Sequence, residues 1–242
     1  MTLFDIADKA AELGCAALEP TAYYFAATDT AYLTKLKRHC SLLGLDISGG
    51  AIGNNFCVPE PEKLKKEIEQ TKAWTERYSL LGAKTMRIFA GPLAKGDLED
   101  DARQRCIDSI HECCDHAARF GVFLALENHG GIVSTADQIL GIVKAIKHDW
   151  FGVNLDTGNF RTDDPYGDVA RLAPYSVTVQ VKVEIQKKGQ KKELADLARM
   201  IDILRQSRYH GYIALEYEAA EPPLEAIPRY AAELKKLLQS PP

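Results

Sequence analysis

The sequence predicts an α/β protein of the (β/α)8 barrel class, and three features carry that reading. Helical and extended segments alternate along the chain, glycines punctuate the turns between them, and four late apolar segments each deliver a carboxylate or carboxamide near their ends. Such alternation implies a parallel sheet covered by helices, and this many units favours closure into a barrel. The 242 residues, 46% hydrophobic and 26% charged, suffice for one large core. No linker or break in composition divides them, so residues 1–242 read as a single domain.

Apolar residues at helical spacing over 3–13 stop at Gly14 and lead into Ala16-Ala17-Leu18-Glu19. A helix over 30–43 shows Leu33, Leu36, Cys40 and Leu43 on one face, stops at Gly44, and gives way to Leu45-Asp46-Ile47-Ser48. The helix over 61–81 carries Leu64, Ile68, Trp74, Tyr78 and Leu81; Gly82 and the strand Thr85-Met86-Arg87-Ile88-Phe89 follow. Ile107, Ile110, Cys114 and Ala117 mark a helix that ends at Gly121. Glycine at these stops supplies the left-handed cap that lets the chain turn back. Thr135 and Gln138 form a capping box for a helix with Ile139, Ile142, Val143 and Ile146 on its face. A short helix near Asp168 to Leu172, a polar loop over Lys187 to Lys192, and helices over 193–206 and 224–238 complete the pattern.

Seven strands emerge, and the chain opens on a helix where such a barrel begins with a strand. The expectation is therefore a barrel lacking its first strand, open at one seam.

The net charge of -4 gives no electrostatic case for nucleic acid or an anionic membrane. No apolar run approaches the roughly 18 to 20 residues of a membrane span, and the N-terminal residues show no signal pattern. The six cysteines lack metal-knuckle spacing and fall mostly on helical apolar faces, so they read as reduced core thiols of a cytoplasmic protein.

The four late strands hold the chemistry: Leu124-Ala125-Leu126-Glu127-Asn128-His129, Gly152 to Asn159 around Asp156, Val177 to Glu184 around Gln180, and Ile213 to Glu218 around Glu216. Strand side chains alternate, so Thr178, Gln180, Lys182 and Glu184 face one side while Val177, Val179, Val181 and Val183 face the other. With the valines against the helices, Glu127, Asp156, Gln180 and Glu216 enter the lumen. The reverse would bury charges against apolar helices at a cost of at least several kcal/mol per unpaired ion. Three carboxylates at one depth repel each other without a cation, so the four strand ends read as ligands of one divalent ion. Lys182 is open to a second reading as a salt bridge within the lumen, His129 as a loop residue, and Glu218 and Glu19 as solvated rim.

The motifs Leu126-Glu127-Asn128-His129, Asp156-Thr157-Gly158-Asn159, Val179-Gln180-Val181-Lys182 and Leu215-Glu216 resemble those of the sugar phosphate isomerase/epimerase family in the xylose isomerase-like TIM-barrel superfamily. The resemblance implies metal ligands at Glu127, Asp156, Gln180 and Glu216. Members often carry His where Gln180 stands; its oxygen suits Mn2+, or Mg2+ or Co2+, better than zinc. It also implies an isomerase or epimerase acting on a ketose or related sugar, by proton abstraction next to a carbonyl through a metal-stabilised enediolate. Glu127 and Glu216 would be the catalytic pair, with His129, Lys182, Arg87, Asn54 and Glu218 binding substrate. Asn54-Asn55-Phe56 would supply an amide-and-aromatic wall for the sugar. The absence of a glycine-rich cradle favours an unphosphorylated sugar.

A lyase or dehydratase acting on a keto-inositol or keto-glycoside shares the first half-reaction and is the nearest alternative. An apurinic-site endonuclease would need a histidine-rich zinc cluster, which the strand ends do not offer. A non-catalytic or partner-dependent barrel subunit remains a reading of a different class, and a homo-oligomer is compatible with all of them.

Overall fold

The computed structural model describes residues 1–239. In chain order the elements are α1 (Leu3–Glu12), β1 (Ala17–Leu18), α2 (Thr30–Leu42), β2 (Asp46–Ile47), β3 (Gly49–Ala51), α3 (Pro61–Leu81), β4 (Thr85–Ile88), α4 (Glu99–Ala118) and β5 (Phe123–Glu127). They continue with α5 (Ala136–Ala145), β6 (Phe151–Asp156), α6 (Pro165–Leu172), β7 (Ser176–Val181), β8 (Glu184–Ile185), β9 (Glu193–Leu194), α7 (Leu197–Gln206), β10 (Ile213–Leu215) and α8 (Pro223–Gln239).

The main sheet runs β10-β7-β6-β5-β4-β3, all parallel. The pair β1-β2 extends it, because β2 and β3 are one strand interrupted at Ser48, whose N–H still bonds the Leu18 carbonyl. This is the curled parallel sheet and helical cover of a TIM barrel, with the expected seam. Among the described residues no ladder joins β10 to β1. Side chains cross instead: the Tyr212 hydroxyl bonds Asp46, and Gln180 bonds Glu19.

One hydrophobic cluster fills the space between sheet and helices. Val179 and Val181 are fully buried in it, as the alternation requires. The capping box forms at Thr135 and Gln138, and Gly82 closes α3 at φ 93°, in the left-handed region. Tyr78 threads its ring beneath Gly50, where a Cβ would lie 2.0 Å from it. The cysteines are all free, and Cys40, Cys57, Cys106, Cys113 and Cys114 are buried. Among the described residues no helix is long and apolar enough to cross a membrane.

The segment after β7 differs from expectation. Residues 193–194 pair with 184–185 as the antiparallel β8–β9 hairpin, and α7 starts only at Leu197. Asp196 sets that start by accepting the Arg199 N–H at 2.9 Å, an N-cap that ends the extended stretch. Glu184, expected in the lumen, therefore sits in the hairpin and pairs with Lys192 at 3.3 Å.

Candidate active site

Glu127 and Asp156 are the last residues of β5 and β6, Gln180 lies one residue from the end of β7, and Glu216 follows β10 directly. Glu127, Asp156 and Gln180 are buried, whereas the Glu216 side chain is 33% exposed. A register shift between Val153 and Asn154 sets Asp156 opposite Gln180. Because strand faces alternate, without that shift Asp156 would stand beside Val179 and the two polar side chains would face opposite sides.

Amides lock this row. Asn154 Nδ2 donates to Gln180 Oε1 at 2.6 Å, and Gln180 Nε2 donates to Glu19 Oε1 at 2.9 Å. Asn128 clamps the Asp156 backbone, donating to its carbonyl and accepting its N–H, both at 2.9 Å. Asn159 Nδ2 donates to Glu127 Oε1 at 2.8 Å, and Arg87 Nε lies 3.1 Å from Glu127 Oε2. Arg87 also donates to the Ile52 carbonyl and lies over the Phe89 ring, 3.9 Å from its centre.

Lys182 is the local cation. Its Nζ is 3.3 Å from Asp156 Oδ2 and 3.3 Å from Glu216 Oε2, and it pairs with Glu218. Burial pulls the ammonium pKa down, but Asp156, Glu216 and Glu218 together raise it above the ordinary lysine value. Burial pushes Glu127 up to about 7, with Arg87 opposing and Glu216 adding. Asp156 is raised well above a normal carboxylate, by burial first and then by Glu127. Glu19 also rises to about 7 through burial, against the Gln180 hydrogen bond.

The donors fit a hard divalent ion on a direct observation: Asp156 Oδ2 and Glu216 Oε2 are buried and accept no hydrogen bond. Both instead face the Lys182 ammonium. Gln180 Oε1 keeps a second lone pair beyond the one Asn154 uses. Among the described residues, however, no group of three His, Cys, Asp or Glu side chains stands close enough to hold an ion as placed. The carboxylates are drawn around Lys182.

Other expected residues fall differently. Asn54 is buried and spends both polar atoms on the Phe89 backbone, at 2.8 Å each. The Phe89 N–H and C=O need partners beyond the end of β4, and this amide satisfies both. Phe56 is fully buried in the core rather than walling a sugar site. His129 stacks on Phe89 with ring centres 4.5 Å apart, and burial lowers its pKa. Glu218 stays at the rim, 61% exposed, held by Lys182. Reading the sequence misses Asn128, Asn154 and Asn159 as site residues. Their position beside or within the strand-end motifs was the available signal.

A cavity of about 640 Å3 has His129, Asn159, Arg161, Thr162 and Lys188 in its wall and is linked to the carboxylates through Asn159, which bonds Glu127.

A family profile described as xylose isomerase-like TIM barrel matches residues 7–239. No curated protein matches the chain. Among solved structures, a 3-keto-D-glucoside 4-epimerase from E. coli in its apo form is similar over 97% of this chain and 94% of its own, with a TM-score of 0.80 and 16% identity. A D-psicose 3-epimerase with D-tagatose from Clostridium cellulolyticum H10 aligns over 97% and 91%, with a TM-score of 0.77 and 18% identity. A xylose isomerase-like TIM barrel protein from Mycobacterium smegmatis in complex with magnesium aligns over 97% and 87%, with a TM-score of 0.78 and 18% identity. At these identities the likeness is one of fold, and it agrees with the profile across nearly the whole sequence: the chain belongs to the xylose isomerase-like TIM barrel family.

Proposed function

We propose that the protein is a divalent-metal-dependent isomerase or epimerase that moves a proton next to the carbonyl of a ketose or related sugar. One observation carries the reading. Glu127, Asp156, Gln180 and Glu216 line up on the ends of adjacent strands, and two of their buried oxygens lack a hydrogen-bond donor. Such oxygens are costly unless a cation completes them; the Lys182 ammonium does so here from 3.3 Å, and a divalent ion would take over that role. The oxygen-only donor set suits Mn2+, with Mg2+ or Co2+ as alternatives. The epimerases that share the fold, at 16% and 18% identity, supply the reaction class.

When bound, the ion would polarise the substrate carbonyl and its neighbouring hydroxyl. Glu127 suits proton removal at neutral pH, because burial brings its pKa to about 7 and Arg87 and Asn159 fix its orientation. Glu216 stands at the other end of the row, with β6 and β7 between β5 and β10, and would return the proton. Lys182 is within reach of a substrate hydroxyl once its carboxylates turn to the ion. His129, packed at a tilt against Phe89, lies in the wall of the cavity.

The test is a Mn2+ titration by calorimetry of chelator-treated wild type and Glu216→Gln, followed by proton exchange of ketoses in D2O. Stoichiometric binding that the substitution weakens, with exchange at carbon next to the carbonyl, is expected. A folded wild type that binds no divalent ion refutes the reading. Product analysis separates isomerisation or epimerisation from elimination of a β-substituent.

A further inference from the structure

The cations deep in the site are committed: Arg87 to Glu127, and Lys182 to Asp156, Glu216 and Glu218. In the β8–β9 hairpin, Lys187 pairs with Glu193 and Lys192 with Glu184, each at 3.3 Å. Arg161 and Lys188 are different. Both line the 640 Å3 cavity, and among the described residues neither has a carboxylate within ion-pair distance. Asp163 shares the wall without pairing to either, so two cations face one carboxylate and the lining is net positive.

The two cations are held on loops that are tied together. Lys188 N donates to the Thr162 carbonyl at 2.9 Å, which binds the hairpin turn to the loop after β6. Phe160, only 1% exposed, roots that loop in the core just before Arg161. The hydroxyls nearby are engaged internally: Thr162 donates to Asp168, and Ser134 donates to the Gly131 carbonyl. What the wall leaves uncommitted is two cations against the single carboxylate of Asp163. Asn159 belongs to the same wall and holds Glu127, so the cavity shares a boundary with the proton-transfer carboxylate.

We propose that this cavity receives an anionic end of the substrate, a terminal phosphate or carboxylate on the sugar, with Arg161 and Lys188 as its counter-charges. The inference rests on the carboxylate cluster being a sugar site and adds the class of sugar it takes. A guanidinium and an ammonium lining one cavity from separate loops can bind anionic oxygens by charge-assisted hydrogen bonds, without a glycine-rich cradle. The volume lies within the roughly 300–1,000 Å3 typical of small-molecule sites. This replaces the neutral sugar expected from the sequence, where the stretch Lys187 to Lys192 reads as a solvated connection.

The test titrates inorganic phosphate and, separately, acetate into wild type and the Arg161→Ala/Lys188→Ala double variant at low ionic strength, with a Mn2+ titration of both proteins alongside. Both side chains are exposed, so the double variant keeps its core. At least one anion should bind wild type and lose about tenfold or more in affinity in the variant, with Mn2+ binding unchanged. Tighter phosphate assigns a sugar phosphate, and tighter acetate a sugar acid. An anion that binds both proteins equally, or no anion binding at all, overturns the inference whatever Mn2+ does. Failed Mn2+ binding with the anion result intact overturns the metal reading instead.

Discussion

Lys182→Met is the perturbation that reads the charge balance of the site most directly. At an effective dielectric near 20, a unit pair at the observed 3.3 Å is worth about 5 kcal/mol before solvation is counted. Desolvation of the ammonium and the carboxylates offsets most of that, and the partners differ in what they can recover. Glu216 and Glu218, at 33% and 61% exposure, relax into water when the ammonium goes. Asp156, at 0%, does not. Stranding one buried ion costs about 3–5 kcal/mol, but Asp156, whose pKa burial already raises, escapes part of that cost by taking up a proton, so the expected loss in chelator at neutral pH is at most about 3 kcal/mol. Methionine keeps the length of the aliphatic stem, which isolates charge from packing. A divalent ion should then repair what the lysine no longer balances, since a ligand of the folded state adds about 2.7 kcal/mol at a hundred times its Kd. Urea unfolding of wild type and variant, each with chelator and with saturating Mn2+, gives the four midpoints required. The variant should be the less stable in chelator, gain more than wild type from Mn2+, and bind the ion more tightly, because its internal competitor is gone. Equal midpoints in chelator together with equal Mn2+ shifts would refute the idea that Lys182 stands in the cation position.

Two further substitutions probe the supports of the site. Asn128→Ala removes both bonds to the buried Asp156 backbone; with each orphaned group costing about 1–3 kcal/mol, unfolding should show a loss of at least 2 kcal/mol, about the sum of the lower bounds, and calorimetry a weaker Mn2+ site. Gly50→Ala drives a methyl group into the Tyr78 ring, 2.0 Å from the built Cβ; overpacking of this kind costs about 1–3 kcal/mol or more, read as a lowered Tm, and an unchanged Tm would show that Tyr78 can yield.

How much of this was open to the sequence depends on the range over which each feature is determined. Glu127, Asp156 and Glu216 are legible because each follows an apolar run, and an apolar strand admits a charge only where it emerges into a lumen or into water. Gln180 is legible because the valines on either side leave it one face to occupy. The helices and their stops at Gly14, Gly44, Gly82 and Gly121 are local and read the same way in both. The amide layer is not local. Whether Asn154 meets Gln180 depends on a register shift between two strands, and strand alternation alone is silent about where such a shift falls.

The same distinction explains the errors. Asn54-Asn55-Phe56 has the composition of a sugar-binding wall, yet Phe56 is fully buried in the core and Asn54 gives both polar atoms to the Phe89 backbone. Residues 193–206 have helical spacing, but Asp196 caps the helix late and releases the residues before it to pair with β8. That hairpin ties Lys188 to the loop of Arg161, so the feature proposed to favour an anionic sugar lies in a segment whose sequence alone reads as a polar loop. The proposed ligands sit on strands whose alternation exposes them to inference, whereas the proposed anion site lies on loops whose placement follows from tertiary bonds such as Lys188 to Thr162. In a barrel of this kind, sequence alone therefore reaches the reaction before it reaches the substrate.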